Sequence, residues 1–413
     1  MHLVERHLVK RSDPRFPAPY AAAIASKHLY NAALSVTRQA LIHEGSFVTY
    51  QERARDLKTS VQYRALPATA AQWVPRQVAC AWSSYFVACR AWQADPTKFL
   101  GHPKPPHYLP KLGRNLLVYT EQAISRAPAN RGAVMPSALG IRVEAPQTTI
   151  HQVRIAPRPG FSVVEVVYGQ EQFPATVPHA FHAGADIGLN NLATLASDKA
   201  GFVPRLVNGR PVKSINQCHN NQFYNKRQAE WQSLWGSVGE AGRACPSRRL
   251  ERLATKRAPR IDHYLHTAGL RLIDLLVAEG IGALCIGGNP LRGQEARLGK
   301  RTNQHFVSMP HARFIAMLTN KAELVGIQVR VTEESDTSEA SVLDADSLPV
   351  YDANLAAAVF SGKRVKRGLC RAADGTLIHA DVNGAYNIMR KAAPDVLAYG
   401  SRGCVVHPIR FAE

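Results

Sequence analysis

The second half of the chain alternates short apolar segments with helical ones, and this alternation constrains the fold more than any other feature. It predicts two strands around a tight turn in residues 182–201, a buried strand in 282–287 and a further strand in 328–332. Apolar residues at helical spacing follow Ile261, and another helix is predicted to begin at Pro310. Strands that alternate with helices are typical of α/β domains. We therefore predict an α/β domain for this half.

The first half has a different order of elements. Residues 2–11 are predicted to form a strand, and helical patterns follow over residues 20–44 and from Val74, with Pro75 in the first turn of the second helix. Runs of β-branched residues within 147–169 predict more strands. This order indicates a small β domain with a helical segment inserted after its first strand.

The composition is that of a folded protein with a large positive charge. Of 413 residues, 51 are Lys or Arg and 31 are Asp or Glu, a formal net charge of +20, and the hydrophobic fraction of 46% excludes a disordered chain. Such a surplus favours binding to a polyanion, with nucleic acid as the first candidate and a ribosome-like structural role as the alternative. No run of eighteen apolar residues occurs, so no membrane-spanning helix is predicted.

The cysteines indicate a reducing compartment. There are seven, their spacing is irregular, and no C-x-x-C pair occurs. This arrangement argues against a disulfide scaffold and against a zinc ribbon.

Acidic residues stand at the ends of three predicted elements. Asp186 ends a strand in A-D-I-G-L-N-N, and Gly188 can adopt backbone angles that other residues resist. Glu333 and Glu334 follow the strand V-R-V-T, and Asp381 precedes a helix in A-D-V-N-G-A-Y-N. Carboxylates from three segments could bind two Mg²⁺ ions for phosphodiester cleavage. The structural alternatives are a turn-capping Asp186, an exposed acidic loop at Glu333–Glu334 and an N-capping Asp381.

The D-I-G turn also admits a kinase interpretation. Sugar kinases and actin-like ATPases use a D-x-G turn to approach a nucleotide phosphate. That interpretation needs further glycine-rich phosphate loops, and the sequence shows no convincing one.

The motifs around these acids resemble a known family. D-I-G-L-N-N-L-A-T-L at 186–195 resembles the first RuvC motif of TnpB nucleases and of miniature type V CRISPR effectors, and A-D-V-N-G-A-Y-N-I at 380–388 resembles their third. Similar segments occur at 264–268, 299–315 and 321–327, and also near the N-terminus. The resemblance therefore covers nearly the whole chain.

The resemblance implies an RNA-guided DNA endonuclease with guide RNA and double-stranded target DNA as partners. It implies an RNase H-like (RuvC) α/β nuclease domain at 181–413, preceded by a β wedge domain at 1–15 and 110–180. A helical recognition domain would be inserted at 16–109. The implied cofactor is Mg²⁺, as two ions, and the expected location is the prokaryotic cytoplasm, with action at the nucleoid. Whether the RNA comes from a CRISPR array or a transposon end, and whether the protein dimerises, stay open.

By this resemblance, Asp186 and Asp381 are the first and third metal-binding carboxylates. The second RuvC motif usually ends in Glu, but Gly287 stands at that place in L-C-I-G-G-N. In rearranged relatives the Glu comes from the next strand, before a T-S dipeptide, which favours Glu334 here, with Glu333 as the fallback. If neither substitutes, the protein is a nuclease-deficient RNA-guided DNA-binding protein, such as a repressor or a binding-only effector.

The zinc knuckle of the family is incomplete in this sequence. Typical members place cysteines after the T-S dipeptide, but T-S-E-A-S-V-L-D-A-D contains none, and only Cys370 remains near the later pair. No zinc is expected, and packing is expected to hold this segment.

Polar and basic residues are expected to contact the nucleic acids. Gln72, Arg76 and Gln77 lie on the polar face of the second predicted helix, and Gln and Arg suit bidentate contacts to purine edges. We expect them to read the flanking DNA motif. The Lys and Arg residues of 216–260 are expected to follow phosphates of guide and target.

Overall fold

The chain of the computed structural model divides into two units, Met1–Glu171 and Gln172–Glu413. The structure describes residues 2–43, 45–125, 132–147, 149–158, 160–170, 180–217, 226–227, 229–230, 233, 248–288, 309–349, 359–366, 368–397 and 406–411, without the side chains of 248–255. Each unit has its own buried apolar residues.

An antiparallel sheet of four strands forms part of the first unit. The strands of this unit are β1 (His2–Lys10), β2 (Leu117–Thr120), β3 (Ala133–Val134), β4 (Val143–Glu144), β5 (Ile150–Arg158) and β6 (Phe161–Gly169). The sheet order is β1–β6–β5–β2, and β3 pairs with β4 separately. Alternate residues such as Val153, Ile155, Val164 and Val166 are buried, which is the period expected of strands with one face on a core.

Helices separate β1 from β2 along the chain. They are α1 (Pro17–His43), α2 (Tyr50–Leu57), α3 (Val61–Arg64) and α4 (Ala68–Ala94). The helices α1 and α4 pack on each other, α1 contacts β5, and α4 contacts β2. The order of strand, helices and strands is the predicted one, while the names wedge and recognition domain remain predictions.

The helix α4 begins earlier than its sequence pattern indicates. It starts at Ala68, so Pro75 is an interior residue and not a first-turn residue. The predicted start near Val74 is wrong because Ala70 and Ala71 are fully buried. Their packing stabilises the turn before the proline and outweighs the one backbone hydrogen bond that a proline removes.

A buried arginine connects three helical segments of this unit. Arg53 of α2 is 0% exposed, and burial lowers the pKa of its guanidinium. It donates from Nε to Thr37 Oγ1 at 2.7 Å, from Nη1 to the carbonyl of Pro75 at 3.3 Å and from Nη2 to the carbonyl of Val48 at 2.8 Å. The guanidinium thus supplies donors in three directions from one buried position.

Arg53→Lys should lower the free energy of unfolding by about 2 kcal/mol or more. A lysine ammonium at this position is a single point that cannot reach all three acceptors, so buried carbonyls lose their donors. Urea denaturation of the full chain measures the effect. Arg55→Lys, at an exposed position of the same helix, is the matched control and should change little. Equal midpoints for both variants would contradict this role of Arg53.

The second unit contains a six-stranded mixed sheet. Its strands are β7 (Phe181–Asp186), β8 (Asn191–Ser197), β9 (Arg205–Asn208), β10 (Ile281–Gly287), β11 (Gln328–Thr332) and β15 (Ile409–Arg410). The order is β11–β10–β7–β8–β9–β15. Strands β7, β8 and β9 form an antiparallel meander, whereas β10 runs parallel to both β7 and β11. Every residue of β10 is buried, as expected for a strand with both faces covered.

Further elements of this unit cover and extend the sheet. They are the helices α5 (Arg210–Gln217), α6 (Arg248–Ala278), α7 (His311–Leu324) and α8 (Ala380–Ala392), and the three-stranded sheet of β12 (Lys363–Lys366), β13 (Leu369–Arg371) and β14 (Leu377–His379). Leu284 and Ile286 pack with α6 and α7, whereas Cys285 between them packs with α8. Neighbouring residues of a strand point to opposite faces, so the sheet separates two cores. The predicted mixed α/β fold is confirmed.

Membrane-spanning segments do not occur among the helices that the structure describes, since none of these helices is long and apolar enough to cross a membrane.

Candidate active site

The register of the parallel strands gathers acidic residues at one end of the sheet. Ile286 of β10 pairs with Ala185 of β7, so the strand ends Gly287 and Asp186 are neighbours. On the other side, Gly287 pairs with Thr332, the last residue of β11. Carboxyl ends of adjacent parallel strands meet at one edge of a sheet, and Glu334 follows β11 by two residues.

Asp381 reaches the same region from the first turn of α8. This helix begins at Ala380 with His379 as its N-cap, so the N-capping interpretation of Asp381 is wrong. The carboxylate instead accepts a hydrogen bond at Oδ2 from Asn191 Nδ2, 2.7 Å away. Asn191 is the first residue of β8, next to the turn that follows Asp186. Burial lowers the pKa of His379, and the charge of Asp381 partly opposes that shift.

The carboxylate of Asp186 lies against the backbone of α8. A Cβ built on Gly384 would be 3.0 Å from Asp186 Oδ2, so a residue without a side chain makes room for the acid. The following turn is tight for a similar reason. Gly188 does not have a positive φ, contrary to the prediction of unusual backbone angles, but a Cβ there would lie 2.7 Å from the carbonyl oxygen of Asn191.

Glu334 lies beside the glycine that replaces the usual glutamate. A Cβ built on Gly287 would be 3.2 Å from Glu334 Oε2 and 2.6 Å from Cδ1 of Ile388. Glu334 therefore places a carboxylate oxygen within van der Waals reach of position 287. A side chain at 287 would compete for the space that Glu334 and Ile388 use.

Glu333 has different neighbours. Its Oε1 forms an ion pair with Lys391 of α8, and its Oε2 accepts hydrogen bonds from the backbone N–H of Ser335, at 2.9 Å, and from the Ser335 hydroxyl. Both carboxylate oxygens are thus engaged by these two residues.

Two asparagines of α8 hold the segment that follows Glu334. Asn383 accepts from the N–H of Val342 at 3.0 Å and donates to the carbonyl of Ala340 at 2.7 Å. Asn387 donates to the carbonyl of Thr337 at 2.9 Å, and Thr337 Oγ1 donates to the carbonyl of Glu334 at 2.8 Å. Both asparagines are almost fully buried. An N-capping role of Asp381 would not account for these two asparagines on a helix with an apolar face. Their presence beside Asp381 in the sequence was therefore a signal of a further role.

Carboxylates also hold the segment without zinc-knuckle cysteines. Asp346 accepts from the N–H groups of Ser341 at 2.8 Å and Ser361 at 3.0 Å, and Asp344 accepts from the N–H of Ala373 at 3.0 Å. Burial alone would raise the pKa of Asp346, but hydrogen bonds from both serines outweigh it and hold the pKa below its usual value. Packing contributes as predicted, since Val342 is buried in the core with α8. These hydrogen bonds add to it, because polar backbone groups need acceptors once they are removed from water.

The predicted metal ligands share one end of the sheet. Among the described ranges, however, no three Asp, Glu, His or Cys side chains are close enough together to hold one metal ion. The structure thus brings Asp186, Glu334 and Asp381 into one region without placing them at a common ligand distance.

In the first unit, the residues expected to read DNA differ in exposure. Gln72 and Arg76 are exposed, and the Arg76 guanidinium lies over the rings of Tyr50 and Trp73. Gln77 is half-buried, donates to the carbonyl of Leu116 at 3.3 Å and accepts from Asn115 at 2.8 Å. Its amide therefore has partners within the unit, whereas Gln72 and Arg76 keep exposed surface. Their role in DNA reading stays a prediction.

Much of the basic stretch 216–260 lies outside the described residues, including 218–225 and 234–247. Within the described part, Arg257 donates to Asn216 Oδ1 from Nε at 2.9 Å and from Nη2 at 2.6 Å. This arginine joins α5 to α6, while Arg260 is exposed. Burial lowers the pKa of Arg257.

Two family models match parts of the chain between residues 163 and 388. Residues 163–291, which include Asp186 and Gly287, match OrfB_IS605, described as a probable transposase. Residues 311–388, which include Glu334 and Asp381, match the TNB domain of Cas12f1-like proteins. These matches confirm the resemblance. Over these residues the chain is similar to TnpB-type and Cas12f1-like proteins, and neither match supports the kinase interpretation of the D-I-G turn.

Two solved structures are similar to this chain at low sequence identity. The cryo-EM structure of a Cas12f1–sgRNA–target DNA complex is 11% identical, with a TM-score of 0.48 over 89% of this chain and 81% of that chain. The mini-RNA-guided endonuclease CRISPR-Cas_phi3 is 9% identical, with a TM-score of 0.45 over 99% and 94%. A comparison with curated proteins finds no match.

Proposed function

We propose that this protein is an RNA-guided, Mg²⁺-dependent DNA endonuclease whose acidic centre consists of Asp186, Glu334 and Asp381. The observation that carries the proposal is the position of Glu334, whose Oε2 lies 3.2 Å from where a Cβ of residue 287 would be. A relocated glutamate thus has its carboxylate next to the place from which the usual glutamate is missing.

The topology of the sheet supports a RuvC-like nuclease domain. An antiparallel meander of β7, β8 and β9, with β10 parallel to β7 and β11 parallel to β10, agrees with the RNase H-like α/β domain that the resemblance implies. Asp186 ends β7, an interior strand that lies between β10 and β8.

The donor atoms of these residues are of the type that a hard divalent ion prefers. Carboxylate oxygens on strand and helix ends are the donors that Mg²⁺ prefers, and Gly287 and Gly384 leave space for two of these carboxylates. Asp186, Glu334 and Asp381 would hold the metal. When bound, it would neutralise the charge that develops as a phosphodiester is attacked. The role of Asn191 is to orient Asp381 through their hydrogen bond.

Guide RNA and double-stranded DNA are the proposed partners. The formal net charge of +20 suits a protein that holds a heteroduplex through its phosphates, while base pairing supplies the sequence specificity. The exposed Gln72 and Arg76 are the proposed readers of a flanking DNA motif.

The protein purified with its co-bound RNA should cleave a duplex that matches the guide in Mg²⁺ and should not cleave it in EDTA. Asp186→Ala and Asp381→Ala should each lower the cleavage rate at least ~100-fold, because each removes a negatively charged ligand. Asp274→Ala, at an exposed position of α6, is the matched control and should leave the rate unchanged. Full cleavage activity in both site variants would contradict the proposal.

A nuclease-deficient RNA-guided DNA-binding protein is the second candidate. Two observations favour it, namely the glycine at 287 and the lack of three carboxylates at a common ligand distance among the described residues. The same assay separates the candidates. Tight guide-dependent binding by the unmodified protein, without any cut product in Mg²⁺, would establish the binding function in place of cleavage.

A further inference from the structure

Two adjacent glutamates follow β11, and their side chains have different surroundings. The carboxylate of Glu333 is bound by Lys391 and Ser335, whereas that of Glu334 lies beside Gly287. The two residues are adjacent in the chain, so contacts that fix the side chain of Glu333 also limit where the side chain of Glu334 can point.

Lys391 is well placed to hold Glu333. It lies in the last turn of α8, one turn beyond Asn387, and its side chain is only 6% exposed. Its ammonium pairs with Glu333 Oε1 and also donates to the carbonyl of Ser335 at 3.2 Å and to the Ser335 hydroxyl at 3.1 Å. Burial lowers the pKa of Lys391. The ammonium is buried whereas the side chain of Glu333 is 36% exposed, so separating the pair would leave a buried charge with only its Ser335 partners.

The backbone of Glu334 is held by hydrogen bonds that do not involve Lys391. Thr337 donates to the carbonyl of Glu334, and Asn387 of α8 donates to the carbonyl of Thr337. Lys391 and Asn387 therefore hold the residues on both sides of Glu334 from one helix.

We propose that Lys391 is a positioning residue that holds Glu333 outside the acidic centre and thereby selects Glu334 as the carboxylate that faces Gly287. This inference rests on the proposed function, since it assigns Glu334 the place of the missing second-motif glutamate. Lys391 acts through Glu333 and Ser335.

Zero-length cross-linking tests the pairing on the unmodified full chain. A carbodiimide activates a carboxylate, and a neighbouring amine then displaces the urea to form an amide. Peptide mass spectrometry should identify a cross-link between Lys391 and Glu333. The control is Lys199, whose ammonium lies 2.8 Å from Glu279 in a partly exposed pair. A cross-link from Lys391 to Glu334, or none at Lys391 when the control pair reacts, overturns the proposal.

Variants test the consequence for the site. Glu334→Ala should be inactive because Lys391 keeps Glu333 away. Adding Lys391→Met should free Glu333 and raise both cleavage and Mn²⁺ affinity at least ~10-fold over Glu334→Ala alone, the size typical of a partner that orients a ligand. Adding Lys391→Arg keeps the charge and should give no gain. Adding Lys199→Met, which removes the distant control pair, should also give none.

The outcomes separate this proposal from the function on which it rests. Wild-type cleavage in Glu334→Ala would refute the role of Glu334 itself. An inactive Glu334→Ala with no gain on Lys391→Met, in proteins with equal thermal midpoints, would refute only the selection by Lys391. A gain that persists after Glu333→Ala is added would also refute it. If the Lys391→Met protein does not fold, the cross-linking experiment on the unmodified chain still tests whether Lys391 pairs with Glu333.

Discussion

Glu334→Gln should lower guide-directed DNA cleavage by at least ~100-fold, whereas Glu333→Gln should stay within about tenfold of the unmodified protein. The two substitutions are chemically identical and lie at adjacent positions, so each is the control of the other. Both keep the size of the side chain and remove one negative charge.

The reason lies in what each carboxylate touches. Glu334 has its Oε2 beside position 287, near the strand ends where Asp186 also lies. A neutral amide there removes negative charge from the region that would bind a divalent ion, at a cost of several kcal/mol in the transition state. Glu333 contacts Lys391 and Ser335, and a glutamine can still hydrogen-bond to both.

Single-turnover cleavage with excess protein–RNA complex measures the difference, and a gel-shift assay with the same duplex measures binding. Binding should be unchanged in Glu334→Gln, because the guide pairs with the target away from the acidic centre. The reverse ranking, with Glu333→Gln inactive and Glu334→Gln active, would assign the metal to Glu333 and remove Lys391 from its proposed role.

The local patterns of the sequence predicted β7, β8, β10, β11 and the helices α6 to α8 of the second unit, but not α5, β9 or β12 to β15. The strand 281–287 is uniformly apolar and fully buried, and a helix was expected at Pro310 where α7 begins at His311. Such patterns succeed because the burial of an element leaves a period in its own residues. The start of α4 could not be obtained in this way, because the packing of Ala70 and Ala71 outweighs the local effect of Pro75.

Of the candidate site, only the acidic residues could be predicted from the sequence. Asp186, Asp381 and the choice of Glu334 came from the family motifs, and the motifs say nothing about how these carboxylates are held. Lys391 and Ser335 are 56 residues apart, and their contact exists only because α8 packs beside the end of β11. The residue spacing within either segment does not indicate such a contact, so only the structure shows that Lys391 is the partner of Glu333.

Gly184→Ala should strongly destabilise the second unit, because the added methyl group has no space between β7 and α8. A Cβ at this position would lie 1.9 Å from the carbonyl oxygen of Ala385 and 2.8 Å from its carbon, so the clash is with the backbone of α8. No rotation of a side chain can relieve it. Overpacking that moves backbone costs about 3 kcal/mol or more.

The matched control is Gly269→Ala in α6. A Cβ there would meet nothing nearer than Lys321 Cδ at 3.5 Å, an ordinary van der Waals contact. Alanine also favours a helix over glycine by up to about 1 kcal/mol, so this variant should be as stable as the unmodified protein or more stable. Urea denaturation of the full chain compares the two variants.

The loss at Gly184 should extend to cleavage. Strand β7 is hydrogen-bonded on both sides, to β8 and β10, so α8 is the element that must move. That helix carries Asp381 and Lys391, and its displacement should lower cleavage at least ~100-fold even where the variant is still folded. A Gly184→Ala protein with unchanged stability and activity would mean that α8 does not lie this close to β7, and the juxtaposition of Asp186 with Gly384 would then fail with it.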